Sequence, residues 1–325
     1  MRTLTNILRA AVTLALAGVL LTTAARAADD VTIGVDFNVI GAQVWIAQDK
    51  GFFRKHGVNA SVQPFAFGID TVDAVLAGRL DFGMAIDFAL NPRLRSGQLR
   101  MISAIIEPDP GFHKLAVRAS IQKPEDLAGK RIGLAKGTSA HLVTLSYLRR
   151  FGVNPDTEIL IPMPSLTEIV ASLRADRIDA AFVWGDAVAR AMEIPNVRIL
   201  GDDTPANVLL NGYLVTSEKV SARRPQAVKS VLMALIDATE WMRANFEEGV
   251  DIVASHAKSP RERVKAEMLI ENYTISLKPK QLDGFEKVAD FAAINGLTPS
   301  RMNPREFVDS SFLEAVAPGR VTLRE

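Results

Sequence analysis

The sequence predicts an α/β protein built of two similar lobes with a ligand cleft between them. Three observations predict it. A strand–helix–strand–helix–strand alternation occurs twice, the two occurrences are separated by a nearly constant offset, and two short β-like runs stand where the chain would pass from one lobe to the other. Alternation of strands with helices implies parallel strands covered by helices.

The first element is a targeting segment. Arg2 and Arg9 give a basic start, Ala10 to Leu21 carries no charge, and Ala25-Arg26-Ala27 supplies small residues at a cleavage site. The apolar run is shorter than the roughly 20 residues a membrane span needs, so the segment reads as a secretory signal, removed to leave a chain starting at Ala28. The whole chain has a net charge of +1 and no cysteine. Loss of the segment's three arginines brings the charge to −2, which gives no electrostatic reason to expect nucleic acid or an anionic membrane surface. Without cysteine there is no disulfide, thiol nucleophile or thiolate metal site, and no attachment point for a lipid anchor. An exported protein that diffuses freely between two membranes is expected.

The repeat comes next. Val31-Thr32-Ile33-Gly34-Val35 and Lys130-Arg131-Ile132-Gly133-Leu134 are short strand-like runs. Each is followed by a helical stretch ending at a glycine suited to a left-handed C-cap, Gly57 and Gly152. Ala77-Gly78-Arg79-Leu80-Asp81 and Ala175-Asp176-Arg177-Ile178-Asp179 each close a helix and open an apolar strand, Phe82 to Ile86 and Ala180 to Trp184. The offsets are 98 and 99 residues. Residues 113–118 and 212–216 are expected to be hinge strands. Lobe one is then residues 28–112 plus 217–325, and lobe two residues 113–216.

The tail from Pro225 reads as largely helical cover for lobe one. Val228, Val231, Leu232, Leu235, Ile236 and Met242 form one apolar face, and further helices are expected at residues 261–271 and 281–295.

These residues resemble a known family. Ile46-Ala47-Gln48-Asp49-Lys50-Gly51-Phe52-Phe53 with His56-Gly57-Val58, then Phe67-Gly68, the Ala77–Gly83 run, Asp126–Gly133, Lys136–His141 and Ile178–Ala181 are similar, in order, to the periplasmic binding proteins of the nitrate/sulfonate/taurine type, a superfamily that also includes binders of thiamine-pyrimidine precursors. The resemblance extends to about Thr216. It implies a type II periplasmic binding protein fold, two Rossmann-like lobes joined by two crossing strands, serving an ABC importer. A small-molecule solute and a membrane permease with its ATPase would be the partners. The protein would be a monomer in the periplasm, with no cofactor or metal.

In open α/β sheets ligands bind beyond the carboxyl ends of the strands. In lobe one that rule selects Asp36, Phe37, Asn38, Phe67, Gly68, Asp87 and Phe88, with Glu107 after the fourth strand. In lobe two it selects Gly137, Thr138, Ser139, His141, Trp184 and Asp186. Gly137-Thr138-Ser139 opens a helix, whose free N–H groups and dipole favour an anion; the resemblance places the ligand's acidic group there, while a plain helix cap needs the same residues. Asp36, Asp87, Glu107 and Asp186 are an odd lining for an anion. A sulfonate-bearing zwitterion such as taurine would satisfy both signs, and a cationic, aromatic or pyrimidine-like solute is the alternative. Any one of these acids could instead cap a helix. Trp45 and His113 are assigned to packing and to the crossing strand.

No G-x-S-x-G, P-loop, H-E-x-x-H or dinucleotide fingerprint occurs. Binding is therefore expected rather than catalysis. A pyrimidine-synthase-like enzyme of the same fold, or a sensor without transport, are the other readings.

Overall fold

The computed structural model describes residues 28–323. The secretory-signal reading falls on residues 1–27 and lies outside them. The chain forms two sheets. Strands β1 (Asp29–Asp36), β2 (Val58–Phe65), β3 (Phe82–Ile86) and β4 (Leu99–Ile106) belong to the first, and β5 (Lys114–Arg118), β6 (Arg131–Leu134), β7 (Ile159–Pro162), β8 (Ala180–Val183) and β9 (Val197–Asp202) make up the second. The chain then returns to the first sheet for β10 (Gly212–Ser217) and β11 (Tyr273–Ser276). The orders are β11-β4-β10-β3-β1-β2 and β7-β6-β8-β5-β9. Within each sheet the three repeat strands are parallel, and an incoming strand, β10 or β5, lies antiparallel beside the third.

The two halves match in packing as well as in order. The Asp81 carboxylate accepts the Thr32 N–H at 2.9 Å, and the Asp179 carboxylate accepts the Arg131 N–H at 2.8 Å. A Cβ on Gly34 would lie 2.5 Å from Leu80 Cδ1, and one on Gly133 would lie 2.5 Å from Ile178 Cδ1. Glycine is needed at both points because the residue before each acid packs against the first strand.

The crossings differ from the expectation. Neither expected hinge strand bridges the lobes: Lys114–Arg118 is an interior strand of the second sheet, between β8 and β9, and Gly212–Ser217 is an interior strand of the first, between β3 and β4. Tyr213, Leu214 and Val215 are fully buried there. The stretches that pass between the sheets are residues 107–113 and 203–211. A short apolar β-branched run looks the same at a crossing and inside a sheet, and only the pairing decides. The tail also contains a strand, β11, at the edge of the first sheet.

The helices cover the sheets. In lobe one, α1 (Ala42–Asp49), α2 (Phe52–Lys55), α3 (Gly68–Leu76) and α4 (Asp87–Leu94) follow the strand ends; α5 (Ser139–Arg150), α6 (Leu166–Arg174) and α7 (Asp186–Met192) do so in lobe two. The tail adds α8 (Glu218–Arg223), α9 (Pro225–Ala244), α10 (Phe246–Ala257), α11 (Arg261–Met268), α12 (Pro279–Ile294) and α13 (Ser311–Val316). Val228, Val231, Leu232, Leu235 and Met242 of α9 are buried as the helical spacing requires, and Ile236 packs at the margin of the core. No helix among the described residues is long and apolar enough to cross a membrane.

Candidate functional site

The carboxyl ends of both sets of parallel strands face one another, which sets the candidate site between the lobes. On lobe one, β1 ends at Asp36, which is only 4% exposed. Burial pushes its carboxyl up to about 7, against the N–H groups of Asn38 and Gly68, which pull it down. Phe67 and Gly68 follow β2. A Cβ at Gly68 would lie 2.7 Å from the Met84 carbonyl oxygen, so only glycine lets α3 start this close to β3.

On lobe two, Gly137 has φ +84°, and a Cβ there would lie 2.9 Å from Ile69 Cδ1 of lobe one. Of the three amides expected at this helix start, two are used internally. Gly137 N–H donates to His141 Nδ1 at 3.3 Å, and Thr138 N–H donates to the Ala135 carbonyl at 3.2 Å. The N–H groups of Ser139 and Ala140 have no backbone acceptor within the described residues.

Ser139 is held by the crossing segments. Its Oγ lies 3.0 Å from His113 Nε2, and His113 Nδ1 lies 2.6 Å from Asp203 Oδ2. Asp203 also accepts the N–H groups of Gly111 and His113. Burial works against the Asp203 anion, but the imidazole and these N–H groups outweigh it and hold the carboxyl below its usual range. The two ring nitrogens of His113 thus link the Asp203 carboxylate to the Ser139 hydroxyl.

Aromatic rings close the site. Trp184 lies 5.8 Å from Phe67, 6.5 Å from Phe112 and 5.3 Å from the His113 ring, centroid to centroid. Two adjoining cavities of about 30 and 20 Å³ share Ile40, Ile86, Phe112 and Ser139. Asp36, Phe67, Gly68, Thr138 and Trp184 line the first, and His113, Asp203 and Glu271 the second. Each has room for about one water molecule, so a solute enters only with the lobes further apart.

Several expected site residues lie elsewhere. Asp87 is fully buried, and its oxygens accept the N–H groups of Phe88 at 2.7 Å and Asn211 at 3.0 Å; it ties the returning crossing to α4. Phe88 and His141 pack edge to face across the lobes at 5.5 Å. His141 is buried against Lys136, which brings its pKa down to about 4, and it accepts from Gly137. Phe37, Asn38 and Asp186 line an outer groove of about 510 Å³ at the mouth. Phe37 is exposed there, and Asn38 Oδ1 accepts the Ile40 N–H at 2.9 Å. Asp186 is bound by Arg190 at 2.8 Å and by Arg263 at 3.0 Å. Glu107 accepts from Gln281 Nε2 at 2.9 Å, outside both cavities.

Phe112, Asp203 and Glu271 were not legible as site residues, and His113 was assigned to its strand alone. All four lie in or beside the crossings, where no repeat marks a strand end. Glu271 was placed in a helix that stops at Met268.

Two lobes, two crossings and a cleft lined from both sides define the class, a two-lobed binding-protein fold. Solved structures agree. The alkanesulfonate-binding protein SsuA from Xanthomonas axonopodis pv. citri, bound to MOPS, superposes with a TM-score of 0.76 at 20% identity, over 88% of this chain and 99% of that one. The periplasmic nitrate-binding protein NrtA from Synechocystis gives 0.70 at 13% identity, over 90% and 89%. The chain belongs to the NMT1/THI5 like family, which it matches over residues 38–248. Among curated relatives, a putative binding protein of Brucella abortus is 26% identical over 283 residues, 83% of this chain and 86% of the relative. The taurine-binding periplasmic protein of Escherichia coli is 26% identical over 232 residues, 67% of this chain and 68% of the relative.

Proposed function

We propose that this chain is the solute-binding component of an ABC importer, exported to the periplasm, where it captures a small polar solute and presents it to a membrane permease. The observation that carries the proposal is the cleft itself: Asp36 of lobe one and Ser139 of lobe two line one cavity. A solute between them contacts both lobes and so favours the closed arrangement. The taurine-binding and alkanesulfonate-binding relatives support a solute of that size and polarity. A taurine-like zwitterion fits best, its acidic group at the Ser139 and Ala140 N–H groups and its ammonium at Asp36; a nitrogenous or aromatic solute against Trp184 is the alternative. A thermal-shift screen of sulfonates, amino acids, aromatic acids, polyamines and pyrimidines tests the proposal, because a ligand that binds only the folded state raises Tm. No hit in any of these classes contradicts it.

The Ser139–His113–Asp203 chain supports a second reading, since its connectivity is that of a nucleophilic triad. Hydrolysis of p-nitrophenyl esters, lost in Ser139→Ala, would favour an enzyme. Binding without turnover leaves the importer reading in place.

A further inference from the structure

Glu271 is fully buried, and neither carboxylate oxygen has a hydrogen-bond partner among the described residues. A buried carboxylate without partners is costly. Its position is nevertheless fixed by the backbone. The Glu271 carbonyl accepts the Glu107 N–H at 3.2 Å. The next residue, Asn272, has φ +46° and donates its side-chain N–H to the Glu107 carbonyl at 3.1 Å. The turn after α11 is thus pinned to the first crossing, and Glu271 lines the interlobe cavity with His113, Ser139 and Asp203.

The lining of the two adjoining cavities is rich in acceptors. Asp36 and Glu271 contribute carboxylates, and Ser139 Oγ offers lone pairs. The Thr138 hydroxyl is spent on the Ala135 carbonyl at 2.8 Å. Among the described residues, no lysine or arginine lines either cavity. Phe67, Phe112 and Trp184 present ring faces and edges to the same space, and such faces attract cations. Burial, together with Glu267, Asp36 and Asp203, pushes the Glu271 carboxyl well above its ordinary value; a cation placed beside it reverses that balance.

We infer that Glu271 is the counter-charge for a cationic nitrogen of the solute, so that the solute carries an ammonium, an amidinium or a protonated ring nitrogen. The inference rests on the solute-binding reading above and narrows it. Plain inorganic anions and simple sulfonates are excluded as cognate solutes, and the nitrogen sits between Glu271 and Asp36.

The test is calorimetry on the chain from residue 28 onward, with probes paired by removal of the amine: taurine with ethanesulfonate, γ-aminobutyrate with butyrate, putrescine with butanol, and benzylamine with benzyl alcohol. At least one amine is expected to bind while its partner does not. Glu271→Gln is expected to weaken that amine on the order of 30-fold or more, the usual effect of removing one member of a buried charge pair. Circular dichroism checks that Glu271→Gln is folded, and Asp36→Asn provides a second variant with the same expected loss. Equal binding of an amine and its amine-free partner overturns the inference but leaves the solute-binding reading intact. So does amine affinity within about twofold of wild type in a folded Glu271→Gln. Silence of every probe contradicts the solute-binding reading, and the inference with it.

Discussion

Arg263 Nη1 lies 3.0 Å from the Asp186 carboxylate, and this ion pair joins the tail of lobe one to the second lobe across the cleft mouth. Arg190 holds the same carboxylate from within lobe two at 2.8 Å. Asp186 is therefore engaged by one arginine from each lobe. A half-exposed pair of this kind contributes about 0–1 kcal/mol, which is enough to bias an equilibrium between open and closed lobes. Arg263→Ala is expected to weaken solute affinity by about two- to fivefold and to leave the melting temperature of the unliganded protein nearly unchanged. Calorimetry at two salt concentrations checks this, because the wild-type advantage shrinks as salt rises.

Gly137 combines a left-handed backbone with a close approach to Ile69. Gly137→Ala is expected to cost about 1–2 kcal/mol in backbone strain and to keep the lobes from closing fully. Urea unfolding gives the stability change and titration the affinity change. A variant as stable as wild type, binding as tightly, removes the helix start of α5 from the site.

Asp203 accepts two backbone N–H groups and the His113 ring inside a buried crossing. Asp203→Ala leaves all three donors without acceptors, and a loss of about 3 kcal/mol or more is expected from their unpaired burial. His113→Gln, which removes the imidazole but keeps a polar side chain, is expected to cost less stability and to weaken binding by freeing the Ser139 hydroxyl. Equal loss of stability in the two variants would show that the chain of hydrogen bonds is only structural.

Burial pushes Asp36, Asp87 and Glu267 up to about 7. In the unfolded chain these groups ionise near their ordinary values, while the folded chain holds the protons until about pH 7. The native state therefore binds more protons between about pH 4 and 7, and stability falls as pH rises through that window. Asp179, Asp202, Asp203 and Asp237 are held below their usual range and act in the opposite sense, chiefly below that window; His141, brought down to about 4 by burial, opposes the trend within it, one group against three. Urea midpoints at pH 5 and pH 7.5 are expected to show higher stability at pH 5, with the difference reduced in Asp36→Asn. A cationic solute needs the ionised acids, so its affinity is expected to rise over the same interval.

The repeat was legible because it is local. Strand, helix, glycine and acid follow each other at fixed spacing, and both copies use Asp81 and Asp179 to bind the neighbouring first strand. The cleft residues at strand ends, Asp36, Phe67, Gly68, Thr138, Ser139 and Trp184, followed from the same order. Asp87 was misplaced because a strand-end acid that caps backbone N–H groups has the same sequence address as one that faces a ligand. Glu271 and Asp203 stayed hidden because segments 107–113, 203–211 and 269–272 meet only in three dimensions. The placement of β10 inside the first sheet is equally non-local, since it depends on pairing with β3 and β4.

The central claim is that the lobes close over a solute. The sequence has no cysteine, so cysteines introduced at Ala66 and Thr167, both exposed and on opposite sides of the cleft mouth, can be spin-labelled without background. Electron–electron double resonance between the labels then measures the opening directly. Addition of a solute found by the thermal-shift screen is expected to collapse a broad or long distance distribution onto one short distance. An unchanged distribution at saturating solute contradicts the account.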